Sequence, residues 1–229
     1  MEVGYFYAVR GALRQQERLD IISNNLANAS NPGFKKDRIQ FQDYLIGTVS
    51  KDFSQGPLRR TDRDLDVALQ GPGFLKVLTP TGEAYTRDGS LHLDQTGNLV
   101  TSEGHPVLGG GGPVNVGAEL GPIFIDSNGN IQRGENTIAT LDLVDLADKS
   151  GLEAEGGNIL RWRGTAGPEE VMALDTEVIQ GSLEMPNVSV VQEMVNLIDA
   201  HRIFESQIKA IQSFHEIDSK ATNQVGRLR

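Results

Sequence analysis

The run VVQEMVNLIDAHRIFESQIKAIQSFH, from Val190 to His215, decides how the rest of the chain is read. Val190, Met194, Leu197, His201, Phe204, Ile208, Ile211 and His215 follow one another in alternating steps of four and three, with no Gly or Pro between them. That is a heptad seam, and such a stripe needs a second helix to cover it. Val191, Val195 and Ile198 widen the stripe on one side, so the helix is expected to touch more than one neighbour. Asn187 or Ser189 suits its N-cap, and Ser189 with Gln192 three residues on is a capping-box pairing.

The only other long periodic stretch lies at the opposite end. Residues 3–27 read as a helix with Val9, Ala12, Leu19, Ile22 and Leu26 on one face and Arg10, Arg14 and Arg18 on the other. Gln16 interrupts its heptad. A helix of this quality is marginal alone in water and gains order by packing. Asn28-Ala29-Ser30-Asn31-Pro32-Gly33 stops it, because Pro32 pushes Asn31 out of helical geometry. Asn24, Asn25 and Asn28 are poor helix formers so close to that end. Their amides are expected either to bond another chain or to cap the turn.

Between the helices the period changes. Residues 31–65 read as an extended connector, with Ile39, Phe41, Tyr44, Leu45 and Ile46 apolar and a break at Gly56-Pro57. Arg59, Arg60 and Arg63 alternate there with Asp62, Asp64 and Asp66, the pattern of a solvated surface rather than a docking patch. From 66 to 186 short strands are expected at Phe74–Leu78, Ser90–Asp94, Val114–Val116 and Ile138–Val144. Turn signals separate them at Thr81-Gly82, Asp88-Gly89, Thr96-Gly97-Asn98 and Asn128-Gly129-Asn130. The fold class expected is mixed α and β, segregated. Helices from 1–30 and 187–229 pair as a coiled coil, and a central antiparallel, all-β domain fills 66–186.

Charge divides the chain in the same way. Of the net −10, residues 66–186 carry −12, residues 31–65 carry +2, and the two ends are neutral. Neutral ends that pack and a self-repelling middle that faces water fit this distribution, and duplex or membrane-surface binding does not. The absence of Cys excludes disulfides and thiolate chemistry. Gly109 to Gly112 lacks the Lys-Ser/Thr of a phosphate loop and reads as a flexible loop. Asp126 to Asn130 resembles the start of a calcium loop. Ile131 and Thr137 then stand where that loop needs Gly and Glu, so a hairpin turn is expected. No nucleophile elbow or metal-ligand spacing occurs, so no catalytic, cofactor-binding or metal residues are assigned, and neither nucleic acid nor a small-molecule substrate is expected. His201 and His215 are expected at the seam's edge with their polar tips in water.

Four blocks carry a family likeness. ISNNLANASNPGFKK at 22–36 resembles the N-terminal signature of the bacterial flagellar rod and hook axial proteins. DLDVALQGPGFLKV at 64–77 and YTRDGSLHLDQTGNLVTSEGHPVLG at 85–109 resemble that family's middle. QGSLEMPNVSVVQEMVNLIDAHRIFESQIKAI at 180–211 resembles its C-terminal signature. At 229 residues the chain is short for the hook protein, so the likeness is to the rod members. The resemblance implies a structural, non-enzymatic subunit without cofactors. It further implies terminal helices that form the inner tube of a helical assembly in the basal body, with the β domain outside. Implied partners are copies of the chain, other flagellar rod proteins, the type III export apparatus and the surrounding ring proteins. Such export proceeds without cleavage, and Met1 to Tyr5 shows no basic region followed by an apolar core. The assembly interface is then expected at Val9, Leu19, Ile22, Asn24, Asn25, Leu26 and Asn28 of the first helix. On the last helix it falls at Val190, Met194, Leu197, Phe204, Ile208 and Ile211. A different class, a β-domain binding module dimerising through its terminal helices, accounts for the seam equally well.

Overall fold

A helix stands at each end of the chain, and antiparallel strands fill the sequence between them. The structure, a computed structural model, describes residues 2–40, 48–117, 121–134, 136–165 and 167–225. Phe41, Tyr44, Leu45 and Ile46 of the expected connector, and Gly226-Arg227 at the end, lie outside the described residues. Helix α1 spans Glu2–Ala27 and helix α2 spans Val190–Val225. The class is mixed α and β, with the two kinds segregated along the sequence.

The chain forms two units. One draws on residues 1–29, 36–52 and 188–229, and the other on 30–35 and 53–187. In the helical unit, residues that the sequence reads as connector form a hairpin, Asp37–Gln40 against Thr48–Lys51.

The β unit is built on a six-stranded sheet. In spatial order it runs Leu152–Gly156, Ile159–Trp162, Gly82–Thr86, Phe74–Thr79, Leu143–Leu146 and Glu170–Met172, every pairing antiparallel. Two ribbons accompany it, Val67–Gln70 with Glu177–Gln180 and Leu58–Arg60 with Ser182–Glu184. Strand Phe74–Thr79 sends Leu75 and Val77 into one core with Val67, Leu69, Leu91, Leu99 and Ile131. Its other face places Phe74 in a second core with Tyr85, Leu146, Leu152 and Leu160. The sheet is therefore apolar on both sides, and each large side chain sealed there contributes about 1.5–3 kcal/mol.

The strand expectations hold at Phe74–Thr79 and shift elsewhere. Ile138–Val144 is not one strand. It divides between Asn136–Thr140 and Leu143–Leu146, which belong to different sheets. The amides of Leu141 and Asp142, at the break, turn to the carbonyls of Gly129 and Leu108. Within Ser90–Asp94 only His92–Leu93 is strand, because Asp94 is committed to a turn. Gly109 to Gly112 is a tight hairpin rather than a loose loop. Leu108–Gly109 pairs with Gly112–Pro113, and Gly110 and Gly111 take φ of 59° and 90°. Both angles favour Gly.

The turn at Asp94 has a twin at Asp126. In each, one carboxylate oxygen accepts the main-chain amides two and four residues on, at 2.7 and 2.8 Å from Thr96 and Asn98 and at 2.9 Å from both Asn128 and Asn130. The Asn side chain at the fourth position donates to the other oxygen. Gly97 and Gly129 supply the positive φ at the corner. The carboxylate that the sequence compares with a calcium ligand is thus occupied by the chain's own amides.

A buried ionic knot ties the β unit's chain ends together. The Glu184 carboxylate, 1% exposed, accepts from Lys35 Nζ at 2.7 Å, from the Gly56 amide at 2.8 Å and from Arg87 Nη1 at 3.2 Å. Lys35 also donates to the carbonyl of Ser54 at 2.8 Å, and Arg87 donates to that of Gly71 at 2.6 Å. The Arg87 guanidinium lies 5.3 Å from the centre of the Phe74 ring. Burial lowers the pKa of Arg87, and the Glu184 charge opposes that shift. Gly56 is required at its position, because a Cβ there would run into the carbonyl oxygen of Met185.

Two predictions follow from these contacts. Glu184→Gln leaves Lys35 and Arg87 buried without their counter-charge and should destabilise the chain by about 3 kcal/mol or more in urea. A loss under about 1 kcal/mol would show that the knot does not hold the unit. The Asp94 carboxyl is held down to about 2 from an ordinary 3.8, first by the Asn98 amide and then by the Thr96 hydroxyl. A group whose folded pKa is depressed stabilises the fold above its unfolded pKa, and that contribution is lost as pH falls through the folded value. The Asp94 turn should accordingly loosen between pH 3.8 and about 2, with its carboxyl titrating by NMR near the lower figure. A midpoint at the ordinary value would mean that the turn is not formed in solution.

Candidate assembly interface

Glycines set the close approach of the two helices. A Cβ on Gly4 would stand 3.1 Å from the Phe214 ring, and one on Gly11 would stand 3.1 Å from the Gln207 amide. Between these contacts α1 advances by one heptad while α2 retreats by one, so the helices run antiparallel. Tyr5 meets His215 edge to face at 5.2 Å between ring centres. Along α1 the covered line is Gly4, Ala8, Gly11, Gln15, Arg18, Ile22 and Asn25. Along α2 it is Glu193, Leu197, Ala200, Phe204, Gln207, Ile211 and Phe214. Both lines step by four and three, and the small residues on them allow the backbones to come close.

That choice leaves an apolar stripe uncovered. Val190, Val191, Met194, Val195 and Ile198 are exposed on the first turns of α2, Val191 to 74%, and Ile203 and Ile217 are exposed farther along. On α1, Tyr5, Phe6, Tyr7 and Leu13 are exposed, and the Arg10 guanidinium lies over the Phe6 ring. A patch of adjoining valines, Met and Ile on one helix face marks a surface that another body covers.

The asparagines at the end of α1 serve the hairpin of their own chain. Asn25 donates to the carbonyl of Asp37 at 2.9 Å and accepts its amide at 2.8 Å, closing a two-bond clamp on one residue. Asn24 donates to the Asp37 carboxylate at 2.8 Å, whose other oxygen pairs with Lys51 at 2.8 Å. Asn28 donates to the Asn24 carbonyl. Of the two roles expected for these amides, the structure shows bonds inside the chain. Lys36 Nζ lies 3.9 Å from the Glu193 carboxylate in the first turn of α2, where an acid also favours the helix dipole.

Comparison with known proteins agrees with this architecture. The family profile described as flagellar basal body rod FlgEFG protein C-terminal matches residues 179–224, which hold α2. The flagellar hook protein FlgE/F/G D1 domain matches 68–133, and the flagella basal body rod protein profile matches 7–35. The flagellar basal-body rod protein FlgF of Caulobacter vibrioides is 31% identical over the whole of both chains. The chain belongs to the flagellar basal-body rod protein family. FlgF of Escherichia coli is 34% identical over 96% of this chain and 97% of its own. FlgG of Buchnera aphidicola from Acyrthosiphon pisum is 34% identical over 90% and 93%. These relatives are structural rod proteins, and this one is a structural subunit of the flagellar basal body rather than an enzyme.

In this rod protein the interface residues expected from the sequence fall into two sets. Ile22 and Asn25 are buried within the helical unit, and Val9, Leu19, Leu26, Asn28, Leu197, Phe204, Ile208 and Ile211 are half-buried. Asn24, Val190 and Met194 are exposed. His201 is also exposed, 4.0 Å from Glu205, and His215 lies against Tyr5. Helical spacing sets Phe6 and Leu13 beside the apolar face of this helix, whereas both are exposed, and it missed the exposed aromatics Tyr5 and Tyr7. Three adjacent aromatics cannot share one helix face, which was the available signal. Among the described residues, no group of three His, Asp or Glu is placed to hold a metal, and no helix is long and apolar enough to cross a membrane.

Proposed function

We propose that the chain polymerises through its terminal helices into the shaft that carries motor torque to the hook and filament. In this reading α1 and α2 pair as an antiparallel coiled coil within each copy. Their uncovered stripes, with Val190, Met194 and the half-buried Leu197, Phe204, Ile208 and Ile211 at their margin, pack on the helix pairs of neighbouring copies. Val9, Leu19, Ile22, Leu26 and the Asn24, Asn25 and Asn28 amides hold the other helix in register for that packing. The uncovered Val190–Ile198 patch carries the reading, because one antiparallel pair leaves it in water. A contact between different patches of identical subunits that does not close generates an open helix. The helices of residues 1–30 and 187–229 line the tube; of the expected connector 31–65, residues 36–52 go with the helices as a hairpin and 53–65 join the β domain expected over 66–186.

Within the rod we place the chain as the proximal rod protein, with the distal rod protein as the alternative. Relatives named FlgF and FlgG are about equally similar, so this placement rests on the run Arg202-Ile203-Phe204-Glu205. Copies of the chain and other rod proteins are its neighbours, the type III apparatus exports it without cleavage, and ring proteins surround it.

An in-frame deletion tests the role. Cells should stop swimming, and their basal bodies should end in a partial rod without a hook, shorter for a proximal than for a distal subunit. Intact hooks and filaments would refute the axial role. A second experiment isolates the stripe. Val191→Asp with Ile198→Asp should leave the monomer's helicity unchanged and abolish polymerisation, since each carboxylate sealed in an apolar contact costs about 2 kcal/mol or more. Polymers that form normally from this variant would remove the stripe from the interface.

A further inference from the structure

The most exposed large apolar side chains among the described residues are Leu174 at 82% and Met172 at 77%, and they lie two positions apart. Both belong to the β unit, away from any helix seam in the sequence. Met172 ends strand Glu170–Met172, the outermost strand of the six-stranded sheet, and Val171 beside it is also exposed. A cleft of about 550 Å³ opens beside this lip, lined in part by Thr140, Leu141, Asp142, Val171, Met172 and Leu174. Unpaired strand edges with apolar side chains invite a partner.

Charge identifies the partner. Glu169, Asp175 and Glu177 are exposed around the lip, and Glu170 is occupied by Lys76 at 3.0 Å and the Tyr85 hydroxyl at 2.5 Å. The same unit holds one run of net positive charge, Leu58–Arg63, in which Arg60 is paired with Asp62 at 2.5 Å. Strand Leu58–Arg60 is exposed along its length, with Leu58 between water and two arginines and Arg63 close behind. No other stretch of residues 53–187 gathers three arginines so closely. Sequence patterning reads this cluster as solvated surface, and the structure does expose Arg59, Arg60, Asp62 and Asp64. Asp66 differs. It is 1% exposed, its oxygens make no hydrogen bond, and Arg63 Nε lies 3.6 Å away.

The two strips stand at opposite ends of strand Glu177–Gln180. Asp175 precedes that strand, and Arg60 opposes Ser182 beyond it. Four strand residues span about 13 Å, so the strips of one copy do not cover each other. A head-to-tail contact between two copies covers both and leaves one of each free to continue the series. It also matters electrostatically. Units carrying −12 between residues 66 and 186 repel when stacked, and a basic strip set against an acidic lip relieves that repulsion at the contact.

We infer that the β unit supplies a second, head-to-tail contact between copies, in which the lip Glu169–Asp175 of one copy receives the strip Leu58–Arg63 of the next. This rests on the proposal that the chain self-assembles. The chain has no Cys, so introduced thiols report the contact cleanly. Full-length Leu58→Cys and Leu174→Cys variants are mixed, allowed to polymerise and mildly oxidised. The mixed disulfide should form, and neither variant should cross-link when polymerised alone. Adding Glu169→Lys and Asp175→Lys to the Leu174→Cys chain should lower the mixed yield about tenfold, by setting like charges together. Adding Arg59→Glu and Arg60→Glu to the Leu58→Cys chain should then restore it. Polymers that form without the mixed disulfide, or that give only Leu174→Cys pairs, overturn this contact and leave helix-driven assembly standing. A failure to polymerise at all removes both.

Discussion

The β unit depends on the Glu184 carboxylate more than on any other single group. It joins Lys35, Gly56 and Arg87, and the Lys35 ammonium reaches on to Ser54, whose carbonyl and hydroxyl also take the Asn187 amide at 3.1 Å. Residues 30, 35, 53 and 187 are where the chain passes into or out of this unit. The passages at 35, 53 and 187 are therefore fastened to one another, by charge-assisted bonds around Glu184 and Lys35 and by the neutral Asn187–Ser54 bonds. A buried ion pair adds little net stability against a well-packed apolar substitute, because desolvation offsets the attraction. What it supplies is intolerance of alternatives. A strand end shifted by one residue would strand a charge in the interior, and that cost is several kcal/mol. The knot fixes where the ends sit, and the two apolar cores supply the stability.

A different economy governs the helices. Their mutual contact runs along Gly4, Ala8, Gly11 and Ala200, which bring the backbones close, and along Ile22, Leu197, Phe204, Ile211 and Phe214, which are buried or half-buried there. Val191, Val195, Ile198 and Leu13 face outward. At about 25 cal/mol per Å² of apolar surface removed from water, covering those outward side chains would add to what the pair already gains. The β unit is the reverse, with Val67, Phe74, Leu75, Val77 and Ile131 sealed and its hairpins caged by their own carboxylates.

Periodicity and turn chemistry made both helices, the sheet's central strand and the Asn128–Asn130 turn legible. The four family blocks overlap the profile matches at 7–35, 68–133 and 179–224. The phase of the α2 seam was not legible. A stripe widened by Val191, Val195 and Ile198 has two edges, and spacing alone does not say which edge meets α1. The small residues decided it, and their value appears only when two backbones approach. Buried charge was hidden for a related reason. Lys35, Glu184 and Asp66 look like surface residues because nothing local in a sequence distinguishes a solvated ion from a paired one 149 positions away. The division of Ile138–Val144 between two sheets likewise follows from the carbonyls of Gly129 and Leu108, which are remote from that segment.

In the proposed assembly the two kinds of surface suit different tasks. Apolar contacts between helices are non-directional. Charged contacts are selective about register, since placing like charges together costs several kcal/mol. An assembly held only by apolar stripes would have strength with poor choice of neighbour. One held only by an acid–base pair would have choice with little strength, because exposed ion pairs contribute about 0–1 kcal/mol. In that proposal, Val190–Ile198 on a neutral helix supplies adhesion and the arginine cluster on an acidic β unit supplies registration. Each surface can then change without weakening the other.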